Sequence, residues 1–228
     1  MTRTASSSAD AVRFDVRAPD GTAIAVWAEG EGPALVLVHG SLQDHTISQA
    51  LLAELRGDTA TFAVDRRGFG ASGDGSAYAI GREFEDVAAV VDAVAARVGG
   101  PVALWGHSYG ASLAMGGAAL TENVSHLLLY EPSLGLSYPQ GWIEKAERAL
   151  ARHDGDEVIT LVLRDMLEFT DEQLDAARSG PEWERRLAVA PTVPREARAE
   201  SEWVYRPGQF DAVTAPTLLL SGSESPRR

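Results

Sequence analysis

Val12 to Arg17 alternates apolar and polar residues, the pattern of a half-buried strand. Pro19-Asp20-Gly21 signals a turn, and Thr22 to Ala28 reads as the returning strand of a β-hairpin. A second turn at Gly30 to Pro33 leads into Ala34-Leu35-Val36-Leu37-Val38. That unbroken apolar run is what a strand buried on both faces of a parallel sheet requires. Helical spacing follows over Ser48 to Leu55, then a second buried strand over Thr61 to Val64. Arg82 to Val98 predicts an amphipathic helix, with Phe84, Val87, Val90, Val91, Val94 and Val98 on one face. Gly99-Gly100 ends it, and Pro101 to Trp105 is the next strand. A helix beginning near Ala111 and a buried strand over Val124 to Tyr130 continue the alternation. The fold class is therefore α/β, with a mostly parallel sheet led by an antiparallel hairpin and flanked by helices.

The pattern changes after Leu134. Residues 141–202 carry helical spacing and no convincing strand, with breaks expected near His153-Asp154-Gly155, Ser179-Gly180-Pro181 and Pro191 to Pro194. Pro216 to Gly222 resumes the strand pattern. The expected organisation is a polar, disordered tail over 1–11, a discontinuous core over 12–134 and 206–228, and a helical cap over 135–205.

One stretch carries chemistry. Gly106-His107-Ser108-Tyr109-Gly110 lies between a predicted strand and a predicted helix. A serine hydroxyl can attack an acyl carbon only where it stands clear of the backbone, and a sharp strand-to-helix turn puts it there. Flanking glycines leave room for the strained backbone, and the helix N-terminus faces the charge that develops on the substrate oxygen. Gly68-Phe69-Gly70-Ala71-Ser72-Gly73 also matches the dinucleotide fingerprint Gly-x-Gly-x-x-Gly. That motif needs a helix to open at once, whereas Asp74-Gly75-Ser76 continues as loop, so no nucleotide cofactor is expected.

Composition narrows the chemistry further. The 228 residues carry a formal charge of -13, which argues against nucleic-acid binding and suits solubility. The absence of cysteine excludes disulfides, thiolate nucleophiles and Cys-ligated zinc, and no metal or cofactor is expected. Met1 to Ser8 has no apolar signal-peptide core, and no 18-residue apolar run exists. A cytoplasmic protein with a small-molecule substrate and no membrane or nucleic-acid partner is expected.

Four features in order resemble the α/β-hydrolase family: His39-Gly40 after the first buried strand, Asp65-Arg66-Arg67-Gly68-Phe69-Gly70-Ala71-Ser72 after the second, Gly106 to Gly110 after the third, and a helical insertion before Pro216 to Gly222. The resemblance implies a serine–histidine–acid triad at the C-terminal ends of the strands, with Ser108 as nucleophile and the amides of Tyr109 and Ser41 as oxyanion hole. Gly40, Gly106 and Gly110 are the loop and elbow glycines. Serine at the elbow argues against the dehalogenase and epoxide hydrolase chemistry of similar proteins, which need aspartate there. Glu131 and Glu224 are the two candidate acids, with Glu131 preferred. The family base follows one further strand, and none of the five histidines, His39, His45, His107, His126 and His153, follows Pro216. The expectation is a serine esterase impaired by a missing C-terminal strand, helix and histidine, or else a non-catalytic protein that keeps the fold. Leu218 to Leu220 would then form an open sheet edge prone to self-association.

Overall fold

The computed structural model describes residues 11–48, 58–134 and 137–223. The expected N-terminal tail, most of the helix expected over Ser48 to Leu55, and the candidate acid Glu224 lie outside the described residues. Strands β1 (Val12–Arg17) and β2 (Ala23–Glu29) form the hairpin. Strands β3 (Ala34–Val38), β4 (Ala60–Val64), β5 (Val102–His107), β6 (Val124–Tyr130) and β7 (Thr217–Leu220) complete a seven-stranded sheet in the order β1-β2-β4-β3-β5-β6-β7. Pairing is antiparallel from β1 to β4 by way of β2, and parallel throughout the remainder.

Alternation along the central strands divides the core. Val36, Val38, Phe62, Val64 and Leu104 face helices α1 (Ile80–Val98) and α2 (Tyr109–Ala118), against Val87, Val90, Val91, Leu113 and Ala114. Leu35, Leu37 and Ala63 point to the opposite face, with Trp27, Trp105 and Leu128. Burial on both faces explains why these strands read as unbroken apolar runs. Helix α1 begins two residues before the expected Arg82, and its last residue, Val98, is exposed although it shares the apolar spacing. Gly99, at φ +83, closes the helix in the left-handed conformation that glycine adopts without penalty.

Between β6 and β7 the chain forms α3 (Trp142–Ala151), α4 (Gly155–Leu161) running into a π-helical turn over Val162–Met166, α5 (Asp171–Ser179), α6 (Trp183–Val189) and α7 (Val193–Glu202). These helices bury a core of their own, including Trp142, Ile159, Leu163, Leu174 and Trp183. The break expected near Pro191 to Pro194 lies between α6, which ends at Val189, and α7, which starts at Val193. Pro191 sits in a 3-10 turn over Ala190–Thr192 and Pro194 in the first turn of α7, where the missing N–H of proline costs no hydrogen bond. An additional break falls before Thr170, whose side chain and Gln173 form a capping box. Among the described residues no helix is long and apolar enough to cross a membrane. Strand β7 ends the sheet with Leu218, Leu219 and Leu220 between 41% and 62% exposed.

Candidate active site

Ser108 stands between β5 and α2 at φ 53, ψ -125, a conformation costing a non-glycine residue on the order of 1–3 kcal/mol. The surrounding structure holds it there. Its N–H donates to Tyr130 O at 2.9 Å, and its carbonyl accepts from Ala111 N at 2.9 Å. The glycines are required by contact. A Cβ on Gly106 would lie 2.4 Å from Gly110 O, and one on Gly110 would lie 2.3 Å from His39 O. The first turn of α2 thus packs directly on the end of β3. A Cβ on Gly40 would lie 3.1 Å from the Ser108 Cβ, so the loop over residues 39–41 runs against the serine. Tyr109 opens α2, so its N–H precedes the intrahelical ladder. Its side chain is buried, with the hydroxyl 3.1 Å from that of Tyr78.

Arg66 braces the loop over residues 39–41. Its guanidinium pairs with Glu83 of α1 at 2.6 and 2.7 Å and with Glu196 of α7, and donates to Gly40 O at 3.3 Å. It also lies 4.7 Å from the ring centres of both Phe69 and Tyr109. Arg66 and both carboxylates are almost fully buried. Burial raises the proton affinity of Glu196, and the charge of Glu83 adds to this, against the opposing effects of Arg66 and the Ser41 hydroxyl. Next in sequence, Arg67 is also buried, paired with Asp86 at 2.6 and 2.7 Å and with Asp20 at 3.0 Å.

Three of the histidines have ring partners of their own. His39 Nδ1 lies 2.8 Å from Gly40 O and Nε2 accepts from Arg66 N at 3.2 Å, which fixes the neutral Nδ1–H tautomer. Burial and the Arg66 charge lower its pKa to about 4, consistent with a structural ring. His45 stacks on Trp27 at 4.2 Å and places Nδ1 2.7 Å from Asp65 Oδ1. His107 stacks on Tyr130 at 5.1 Å, and its Nδ1 lies 3.4 Å from Gln43 Oε1. His126 is exposed on β6. His153 ends α3 in the left-handed conformation at φ 59.

Asp65 explains the glycine-rich loop that follows it. Burial alone would raise its pKa. Hydrogen bonds from the His45 ring, Ala71 N, His45 N and Trp27 Nε1 outweigh burial and hold it at about 2. A Cβ on Gly70 would lie 2.4 Å from the Asp65 carboxylate, so the loop folds over a carboxylate rather than a phosphate. Glu131 leaves β6 at φ 49, donates its N–H to Leu220 O at 2.9 Å and accepts from Gly222 N. Its carboxylate thus turns toward the end of β7.

An antiparallel hairpin, a mostly parallel sheet, a strand–serine–helix elbow and a helical insertion after β6 are now joined in one arrangement. A model of the alpha/beta hydrolase family matches residues 35–227. The chain belongs to the alpha/beta hydrolase family. Among solved structures it is similar to an alpha/beta hydrolase from Sphaerobacter thermophilus, at 29% identity over 93% of this chain and 83% of that one, with a TM-score of 0.82. It shares its fold with a thermophilic esterase from Thermogutta terrifontis, at 21% identity, 92% and 79% coverage and a TM-score of 0.68. An esterase from Exiguobacterium antarcticum compares at 21% identity, 91% and 80% coverage and a TM-score of 0.67. No curated protein sequence matches.

Two residues near the alpha/beta hydrolase elbow escape a reading of charged positions as solvated. Glu196 and Glu200 fall on the buried face of α7 with Val193 and Ala197. The spacing of this face is that of an apolar stripe, and glutamates inside such a stripe are the signal that locates them.

Proposed function

We propose that the chain is a serine hydrolase of the esterase type, acting on a small ester or similar acyl compound through an acyl-enzyme. The observation that carries this reading is Ser108 at its left-handed elbow, with the loop over residues 39–41 packed against it. Ser108 Oγ attacks the carbonyl carbon, and the carbonyl π pair moves to oxygen. The Tyr109 and Ser41 amides receive that oxyanion. Collapse breaks the ester C–O bond, the leaving alkoxide departs as the alcohol with the proton that the Ser108 hydroxyl gives up, and acyl-Ser108 is left for water to hydrolyse to the free acid and Ser108. Glu131 is the preferred acid and Glu224 its alternative, each serving to orient a histidine. The helices over 142–202 act as the cap that covers the substrate.

The second reading, a non-catalytic protein that retains the fold, is favoured by the placement of the histidines. His39 has both ring nitrogens engaged, His45 is bound to Asp65, and His107 is held between aromatic rings. A serine without its base loses most of its rate. The 228-residue chain is therefore expected to hydrolyse p-nitrophenyl acetate only weakly, retaining on the order of 10³–10⁴-fold over water. Release of p-nitrophenolate is the measurement, with Ser108→Ala as the control. Fast turnover abolished by Ser108→Ala would overturn the impairment and point to a histidine already present as the base, His45 or His153 above all. Weak turnover unaffected by Ser108→Ala would overturn the serine mechanism.

A further inference from the structure

Between the loop that follows β3 and the helices over 142–202 lies a cavity of about 90 Å³, with Ser41 and Gln43 on one side and Leu163, Leu167, Arg186 and Val189 on the other. It is too small for a whole substrate and suits one end of it. Arg186, on α6, is half-buried, and its side chain makes no hydrogen bond, ion pair or ring contact among the described residues. The other described arginines that are buried or half-buried, Arg66, Arg67, Arg178, Arg195 and Arg198, each hold a carboxylate at 2.6–2.9 Å. The chain carries 33 acidic residues against 20 basic ones, so Arg186 does not stand alone for want of carboxylates. The two on the cavity wall are engaged elsewhere. Both oxygens of Glu182 accept from Arg185, and Asp44 Oδ1 accepts from the N–H and the hydroxyl of Thr46. The last turn of α6 favours a cation, yet the guanidinium donates to none of its carbonyls. Burial lowers the Arg186 pKa, and no neighbouring charge offsets it. Drawing a guanidinium part-way out of water without an acceptor is costly, and a bound anion would reverse that cost.

One unpaired guanidinium offers a planar fork matched to a carboxylate, and it neutralises that group's single charge. A phosphate would bring further charge that the wall, with Arg185 already paired, leaves unmet. Leu163, Leu167 and Val189 supply an apolar surface for the methylenes that lead to such a group. The cavity also reaches Ser41, whose amide is proposed for the oxyanion hole, so its occupant would lie near the reacting carbonyl. We infer that Arg186 binds a carboxylate at the far end of the acyl chain, and that the substrates are monoesters of short dicarboxylic acids. Assigning the bound group to a substrate rests on the proposed serine hydrolase reading, whereas carboxylate binding itself does not.

The test is calorimetric titration of the full chain with monomethyl glutarate and with dimethyl glutarate, its neutral counterpart, at low salt. The monoester is expected to bind at least about tenfold more tightly, and Arg186→Gln to reduce that preference to about twofold or less. Arg186→Lys should keep part of it, since an ammonium retains the charge and loses the planar fork. Arg186→Gln should melt no lower than wild type, because no carboxylate of the protein loses a partner, and this separates lost binding from lost folding. Equal binding of the two esters by wild type would overturn the inference, as would a monoester preference unchanged in folded Arg186→Gln. Equal binding by a chain whose Ser108 does accept an acyl group would remove the carboxylate site and leave the serine mechanism standing. Arg186-dependent binding of the monoester by a chain whose Ser108 never accepts an acyl group would overturn the serine mechanism, and the substrate assignment with it, and leave the carboxylate site standing.

Discussion

Replacing Gly110 with alanine is expected to destabilise the protein by about 3 kcal/mol or more, as an overpacking change with nowhere to relax. The added Cβ would meet two backbone oxygens, His39 O at 2.3 Å and Val38 O at 2.4 Å. Backbone at the end of a central strand cannot give way as a flexible side chain would. Either α2 lifts from β3, or the elbow that presents Ser108 is lost. Gly81 provides the comparison within the same chain. It lies in α1 with nothing within 4 Å of an added Cβ. Gly81→Ala should be neutral or stabilising by up to about 1 kcal/mol, because alanine restricts the unfolded chain and favours the helix. Urea unfolding midpoints of the two variants provide the check. A Gly110→Ala protein as stable as wild type would contradict the close approach of α2 to β3.

Arg66→Met is expected to cost about 3–5 kcal/mol, the range for removing one partner of a buried ion pair. The loss of the guanidinium itself is the smaller part of the effect. Its removal leaves Glu83 and Glu196 as buried carboxylates with no countercharge, and leaves Gly40 O with the His39 ring as its remaining side-chain donor. Combining Arg66→Met with Glu83→Gln and Glu196→Gln should recover most of the stability, since neutral amides carry little of the desolvation penalty. Recovery of stability without recovery of acyl transfer would mark Arg66 as a positioning residue for the loop over residues 39–41. An Arg66→Met protein of undiminished stability would show that the pair is not buried as described.

The sheet was legible because its central strands are buried on both faces. Ala34–Val38 ends where its apolar run ends, whereas Val124–Tyr130, expected to be buried, buries only Leu127 and Leu129 and exposes His126 and Tyr130. The elbow was legible because its glycines are demanded by backbone contact and leave a fixed spacing in sequence. What could not be read was charge inside the core. Arg66 and Arg67 appear as two charges of a polar loop, yet both are buried because carboxylates from α1 meet them. Such pairing joins residues far apart in sequence, and no local pattern records it. Glu196 and Glu200 were hidden for a related reason. Their stripe on α7 is visible, but its importance depends on which surface the helix covers. The boundary at Pro191 to Pro194 was legible, because proline ends one helix and is tolerated in the first turn of the next.

The central claim is that Ser108 accepts the acyl group, and it is tested most directly by trapping that group. The nitrophenolate of p-nitrophenyl acetate is a much better leaving group than the Ser108 alkoxide of the acyl-enzyme, so formation should outrun hydrolysis and the intermediate should accumulate under excess substrate. Peptide mapping by mass spectrometry after brief incubation is expected to place one acetyl group on the peptide containing Ser108. The modification should be absent in Ser108→Ala and in protein unfolded with urea before exposure. Acetylation confined to Lys145, the chain terminus or exposed tyrosines, with Ser108 unmodified in the folded protein, would contradict the account.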